Sequence, residues 1–401
     1  MKSATQNQNV AHLIFPDDVQ TAPAADGVSA GSPRGRIGAT GIAPAEAALQ
    51  AATELLRAAK RPVFIVGHGA RFDMEGMLTL AESLHAPVLT TFRGKGIIGD
   101  HHPLAGGVLG RSGTPVASWL MNESDALVVL GASFSNHTGI TPKKPTVQVD
   151  RERTQLARFH AIDVPVWGDL AVTCRSLGER LAGHATVDQR EDVAARWSLW
   201  REEKRQRLTD DRGRGISSVA IFEALNQSAP ENAIIAVDVG NNTYSFGRYF
   251  EASGRQSVLM SGYLGSIGFG YPAAMGAWAA TQVQDRWNGR FYRRPVLAIT
   301  GDGGFGQYPW EVNTAVKYGM NITHLLLHND ELGKISKEQR AGGWDVWQTH
   351  LTNPNIAEFV SNCGGLGIRV TEKAGLTEAI QRALAFDGPA TVEVMTDAEL
   401  V

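Results

Sequence analysis

The chain of 401 residues holds only two cysteines, Cys174 and Cys363, far apart and without CxxC or Cys/His spacing around them. That excludes a disulfide scaffold and a cysteine-rich zinc site, and reads as ordinary buried thiols in a reducing compartment. No apolar run reaches the ~20 residues of a bilayer span, and the N-terminus has neither a basic start nor an apolar signal core, so no membrane span and a cytoplasmic location are expected. Charge of one sign is also lacking: 38 Lys and Arg against 41 Asp and Glu leave a formal −3, which gives no electrostatic case for nucleic acid or an acidic membrane. His101, His102, His324, His328 and His350 lack metal-ligand company in the sequence and read as satisfied or exposed side chains. No GxGxxG follows the first strand of either half, which disfavours a nicotinamide-dependent dehydrogenase.

What is present is 43% hydrophobic residues, ample for two or three buried cores. A helix rich in Ala and Leu over residues 46–59 precedes apolar runs at 62–66, 87–90, 126–130, 146–149 and 164–167. A second set lies at 233–240, 294–300, 322–327 and 390–395. Strands separated by helix-length amphipathic segments predict an α/β fold of two doubly wound parallel-sheet domains. Residues 196–208 read as a charged helix with Trp197, Trp200 and Leu208 on one face, and the mixed signs argue for a connector rather than a nucleic-acid surface. Residues 21–44, rich in Pro, Ala, Gly and Ser, read as a linker, and residues 10–20 before them as a strand and a turn. The expected boundaries are thus 1–20, a linker at 21–44, a central domain at 45–183, a connector at 184–215 and a C-terminal domain at 216–401.

Gly301-Asp302-Gly303 closes the strand at 294–300. A helix predicted over 307–318 ends at Gly319, and the strand at 322–327 then delivers His328-Asn329-Asp330-Glu331-Leu332-Gly333 to the same sheet edge, where open α/β folds bind ligands. This spacing describes a magnesium diphosphate site. Mg²⁺ takes oxygen ligands in a tight octahedron, which Asp302, Asn329 and the carbonyl of Glu331 would share with two phosphate oxygens. Gly303 and Gly304 let backbone N–H groups approach an anion. Taken alone, Gly-Asp-Gly also serves as a tight turn, and Asn241-Asn242, after the strand at 233–240, as a helix cap.

Together these motifs resemble the signature of thiamine diphosphate enzymes such as pyruvate oxidases, acetolactate synthases and pyruvate decarboxylases. His328 stands where the family usually has the first of two Asn residues, and Asn329 matches the second. The resemblance implies that Asn241, Asn242, Gly303 and Gly304 hold the diphosphate, that Gly265 offers its carbonyl to the cofactor's 4′-amino group, and that Ile267 bends the cofactor. Ser266, Leu332 and Gly333 complete the expected binding set, and residues 334–339 shape the substrate pocket. Without the resemblance, the glycines of 262–276 only permit close helix packing and Ile267 is a core residue. An enzyme is implied that uses thiamine diphosphate and Mg²⁺ on a pyruvate-like 2-keto acid, decarboxylating it before oxidation or carboligation. It would act as a homo-oligomer or in complex with a pyrimidine-domain polypeptide.

Residues 10–20 resemble the last strand of the family's N-terminal pyrimidine-binding domain, whose body is absent from this sequence. That domain carries the family's catalytic Glu, and the first Glu here is Glu46, in the central domain. A noncatalytic cofactor-binding polypeptide that needs a pyrimidine-domain partner is therefore the alternative reading. Residues 93–98 and 130–134 look most like pyruvate oxidases, whose central domain binds FAD. Gly67-His68-Gly69, residues 109–114 and Val149-Asp150 fall where flavin-binding members contact the dinucleotide. Glycine at a strand end also serves a tight βα turn with no ligand, which leaves FAD open.

Overall fold

Parallel strands cannot be joined by tight turns, so each crossover brings the C-terminal ends of a sheet's strands to one edge. The computed structural model describes residues 2–399 apart from 8–9, 30, 33, 39–40 and 286. It contains two six-stranded sheets in which every strand pair is parallel. The first comprises β1 (Pro62–Val66), β2 (Val88–Thr90), β3 (Ala105–Val108), β4 (Ala126–Leu130), β5 (Thr146–Asp150) and β6 (Val164–Trp167) in the order β3-β2-β1-β4-β5-β6. The second comprises β7 (Ile234–Val237), β8 (Ser257–Met260), β9 (Val296–Gly301), β10 (Ile322–His328), β11 (Leu366–Val370) and β12 (Ala390–Met395) in the order β11-β12-β10-β9-β7-β8.

Strand alternation divides the second sheet's side chains between two cores. Ile235, Val237, Leu297 and Ile299 enter one; Ile234, Ala236, Val296 and Ala298 enter the other, under the helix Gly270–Thr281. The first of these cores also receives Val63, Ile65, Leu127 and Val129 from the first sheet, so the facing sides of the two sheets share one apolar interior. The helix Arg190–Arg207 joins them. Trp197 and Trp200 are buried, the Trp197 indole N–H donates to the Ala105 carbonyl at 2.7 Å, and Trp200 stacks on Tyr249 at 6.0 Å.

A buried ion pair reinforces this junction. Lys95 Nζ lies 3.1 Å from Asp100 Oδ2, with both side chains almost inaccessible, and the ammonium faces the rings of Phe246 and Phe250 at 5.8 and 6.0 Å. Asp100 Oδ2 also accepts from the Ala252 N–H at 2.8 Å, so the loop after β2 is tied to the second sheet's domain by charge, cation–π contact and backbone.

Three expectations need correction. Residues 10–16 form no strand and are exposed; a short helix, Asp17–Thr21, follows, and no neighbouring strand among the described residues supplies the ladder that 10–15 would need. The helix expected over 307–318 starts earlier and is broken: Asp302–Phe305 turns directly off β9, and Glu311–Lys317 follows Pro309, which has no N–H to continue a helix. Strands β3, β8 and β11 were not anticipated. Residues 30, 33, 39 and 40 of the expected linker, residues 1, 8 and 9 of the expected N-terminal remnant, and the last two residues of the chain lie outside the described residues. Among those described, no helix is long and apolar enough to cross a membrane.

Removing one partner of the Lys95–Asp100 pair strands the other as a buried charge. Asp100→Ala should cost roughly 3–5 kcal/mol in urea unfolding, and replacing both residues by Lys95→Met and Asp100→Leu should recover most of it. A single variant within about 1 kcal/mol of the parent would show that the junction does not depend on this pair.

Candidate cofactor site

In the second sheet the strand order reverses beside β7: the chain passes from β7 to β8 on one side and reaches β9 on the other. Ligands of open α/β sheets bind at such a switch point, outside the carboxyl ends of the strands. A cleft of about 260 Å³, partly open to solvent, lies there, just below the ~300–1,000 Å³ usual for ligand pockets. Its walls are the turns after β7 (Val239 to Asn242), β9 (Gly301 to Gly304), β10 (Asn329, Glu331 to Ile335) and β12 (Thr396, Asp397), with Gly265 and Ile267 from the loop before the helix Gly270–Thr281.

Asp302 is buried at the end of β9, only 3% exposed. Its Oδ1 accepts from the Gly303 N–H at 3.0 Å, and Oδ2 accepts from the Asp330 N–H at 2.8 Å and the Asn329 N–H at 3.4 Å. Burial pushes its carboxyl above the usual value, although the charge of His328 and these N–H groups pull the other way. Asn329 Oδ1 accepts from the Glu331 N–H at 3.1 Å, which shapes the turn after β10.

Asp238 supports the opposite wall. It is fully buried at the end of β7, where Oδ1 accepts from the N–H groups of Val239 and Phe269 at 2.8 and 3.0 Å and Oδ2 from that of Gly268 at 3.2 Å. Its main-chain carbonyl accepts from Asn242 Nδ2 at 2.8 Å and Thr243 Oγ1 at 2.5 Å. Gly304 must be glycine: a Cβ there would stand 2.0 Å from Asp238 Oδ2. One carboxylate thus holds the turn after β7, the loop of Gly265 and Ile267, and the turn after Asp302 in register. Burial raises its pKa to about 6, against the opposing effect of the N–H donors.

Of the expected site residues, Asn241, Asn242, Gly265, Ile267, Asp302, Gly303, Gly304, Asn329, Glu331, Leu332 and Gly333 all line this one cleft. Ser266 does not; its N–H turns back to Ser261 Oγ at 3.1 Å. His324 is a satisfied core histidine between Thr300 and Thr391, its pKa lowered to about 3 by burial. His328 departs from expectation. It closes β10 rather than starting a turn, and with Asp302 and Asp330 it brings potential ligand atoms within 4.8 Å of one another. Its ring bonds to Glu393 at 2.6 Å and Asp330 at 2.8 Å, and these bonds overcome burial to raise its pKa.

Sequence reasoning missed Asp238, Ser218, Thr396 and Asp397. Only Asp238 carried a signal, as the one charge in an apolar strand. In the first sheet, Gly67 and Gly69 lie against the turn after β4. Gly69 N–H donates to the Gly131 carbonyl at 3.0 Å, and a Cβ on Gly67 would stand 2.2 Å from that same oxygen. Backbone packing alone therefore accounts for these glycines.

The fold and cleft define an α/β protein with a polar-walled cleft at a switch point. Comparison with known families agrees: the thiamine pyrophosphate enzyme central domain matches residues 49–177, and the C-terminal TPP binding domain of the same enzymes matches residues 238–394. The chain belongs to the thiamine pyrophosphate enzyme family. It is 29% identical over 360 residues to YdaP of Bacillus subtilis, whose name describes it as thiamine pyrophosphate-containing, covering 88% of this chain and 60% of that protein. It is 27% identical over 399 residues to acetolactate synthase isozyme 1 large subunit of Escherichia coli, covering 96% and 67%. Against the chloroplastic acetolactate synthase of Arabidopsis thaliana it is 27% identical over 372 residues, covering 88% and 53%. The chain thus spans between 53% and 67% of the length of these relatives.

The raised pKa of Asp238 has a defined sign. Between the unfolded value near 4 and the folded value near 6 the native state holds the proton more tightly, so the contribution of Asp238 to stability is full below that window and is lost as pH rises through about 6. Urea unfolding of the parent and of Asp238→Asn should therefore show a stability difference that shifts against the parent by roughly 2–3 kcal/mol between pH 4.5 and 7.5. A difference independent of pH would mean that Asp238 titrates normally.

Proposed function

We propose that this chain forms the cofactor-binding part of a thiamine diphosphate- and Mg²⁺-dependent enzyme acting on a 2-keto acid such as pyruvate. The observation that carries the reading is the convergence on one cleft of three turns, after β7, β9 and β10, that bring the Asn241-Asn242 pair, Asp302 with Gly303-Gly304, and Asn329 together. These donors fit the group. A buried carboxylate, an amide oxygen and a main-chain carbonyl are the hard ligands Mg²⁺ takes, and the glycines leave room for phosphate oxygens to approach the backbone. Asp302, Asn329 and the Glu331 carbonyl would hold the metal, and Asn241, Asn242, Gly303 and Gly304 the diphosphate. Gly265, at φ +67 with open space where a side chain would stand, presents main chain to the aminopyrimidine, and Ile267 sets the bend.

When bound, thiamine diphosphate supplies a nucleophilic carbon and an electron sink for decarboxylation. The protein's part would be to position it: buried polar groups would hold the metal end, and Ile267, in the cleft wall, would orient the rings. Among the described residues Glu331 is the only glutamate lining the cleft, at its metal end and 3.5 Å from Arg340. The carboxylate that activates the aminopyrimidine must then come from a pyrimidine-binding domain, in the same polypeptide or a partner. Tyr263, Leu264, Trp344 and Trp347, each more than 70% exposed on segments adjoining the cleft, support such docking in a homo-oligomer or complex. The acetolactate synthases among the relatives favour carboligation after decarboxylation. The packing of Gly67 and Gly69 against the turn after β4 gives FAD no support from these two residues.

Asp302→Ala should abolish Mg²⁺-dependent binding of thiamine diphosphate in calorimetric titration while leaving the circular dichroism spectrum unchanged; parental affinity would overturn the metal assignment. Ile267→Ala, assayed together with a pyrimidine-binding domain, should lower turnover by up to ~10²-fold with little loss of cofactor affinity. Equal losses in both would make Ile267 a packing residue.

A further inference from the structure

Asn353 contacts the proposed metal ligand from a loop some fifty residues further along the chain. Its Nδ2 donates to Asp302 Oδ2 at 2.8 Å and to Asp330 Oδ1 at 2.9 Å, and lies 3.4 Å from His328 Nε2. With the N–H groups of Asp330 and Asn329 on the same Oδ2, that oxygen of Asp302 has three donors among the described residues, whereas Oδ1 has only the Gly303 N–H. The carboxylate is therefore held with one oxygen engaged by protein and one left for a ligand.

Asn353 is itself fixed at both ends. Pro354 restricts its backbone to extended conformations. Leu332 N–H donates to the Thr349 carbonyl at 2.8 Å and Leu351 N–H to that of Asp330 at 2.7 Å, which lays the segment against the turn after β10. Beyond Pro354, the N–H groups of Ile356 and Ala357 donate to the buried Glu393 at 3.3 and 2.9 Å. Glu393 holds His328, which holds Asp330, which accepts from Asn353, so the polar contacts close into a ring around the asparagine.

We propose that Asn353 is a positioning residue for Asp302: it engages Oδ2 and makes Asp302 a one-oxygen ligand, so that the site selects Mg²⁺ over Ca²⁺. The inference rests on the reading of Asp302 as a metal ligand. Mg²⁺ demands a near-ideal octahedron at ~2.0–2.1 Å, whereas Ca²⁺ accepts irregular and two-oxygen carboxylate coordination at ~2.3–2.6 Å. Loss of the donor would leave Oδ2 with only the N–H groups of Asp330 and Asn329, and the freed capacity of that oxygen would penalise Mg²⁺ and spare or favour Ca²⁺, within the ~10–100-fold range typical of groups behind a metal ligand.

The test is calorimetric titration of the full chain with thiamine diphosphate, in Mg²⁺ and separately in Ca²⁺, for the parent, Asn353→Leu and Asp302→Ala. Asn353→Leu should lose about tenfold or more in the Mg²⁺-to-Ca²⁺ affinity ratio while Asp302→Ala loses binding with both metals. An Asn353→Leu chain with the parental ratio, whether its affinities are unchanged or equally reduced, overturns the positioning role while Asp302→Ala still upholds the metal site. Parental binding by Asp302→Ala overturns the metal site and this inference with it. If Asn353→Leu does not fold, Asn353→Ala is read by the same ratio.

Discussion

The cleft depends on a buried carboxylate used as a structural pin. Asp238 sits at the end of a central strand and gathers three backbone N–H groups from two loops, while its carbonyl takes two side chains from the start of the helix Asn241–Tyr249. An uncompensated charge in that position would be costly, and the N–H donors offset only part of it, which is why burial still dominates its pKa. Rigidity is gained in return. The turn that presents the asparagine pair and the loop that presents Gly265 and Ile267 cannot move independently, and Gly304 is pressed against the same carboxylate.

The second wall is built differently. Asp302, Asp330, His328, Glu393 and Asn353 form a connected polar group in which each acid has an N–H or ring partner. The hydrogen bonds of His328 and Asn353 bring the Asp330 carboxyl below its ordinary value against the effect of burial, and those of His328 and the Ala357 N–H do the same for Glu393. Asp330 adopts φ +54, an uncommon conformation for a residue with a side chain, which the surrounding bonds hold in place. The first sheet's domain contributes through the Lys95–Asp100 pair and through Phe92, whose ring lies 6.3 Å from that of Phe246.

Much of this was legible in the sequence where the signal is local. The strands β1, β4, β7, β9, β10 and β12 are short, strongly apolar runs, and parallel strands buried on both faces must read that way. The Gly-Asp-Gly turn and the Asn-bearing turn could be paired because one βαβ unit separates them. Strand β3, Ala-Gly-Gly-Val, was not legible, since its glycines give no β preference, nor was β11, which also carries a glycine and is only partly buried. The helix after β9 was misplaced because an amphipathic pattern over 307–318 does not show that the turn begins at Asp302. Asn353 and Glu393 escaped notice because their partners are brought to them only by the order of strands, and an isolated Asn or Glu in a chain says nothing about what it will face.

The central claim is that the cleft binds a diphosphate through a metal rather than a thiazolium ring through apolar contact. Calorimetric titration of the chain with thiamine diphosphate, thiamine monophosphate and thiamine, each with Mg²⁺ and with a chelator, separates the two. Tight binding of the diphosphate alone, lost when Mg²⁺ is withdrawn, is the expected result. Comparable affinities for all three ligands, or binding of the diphosphate indifferent to Mg²⁺, would contradict it.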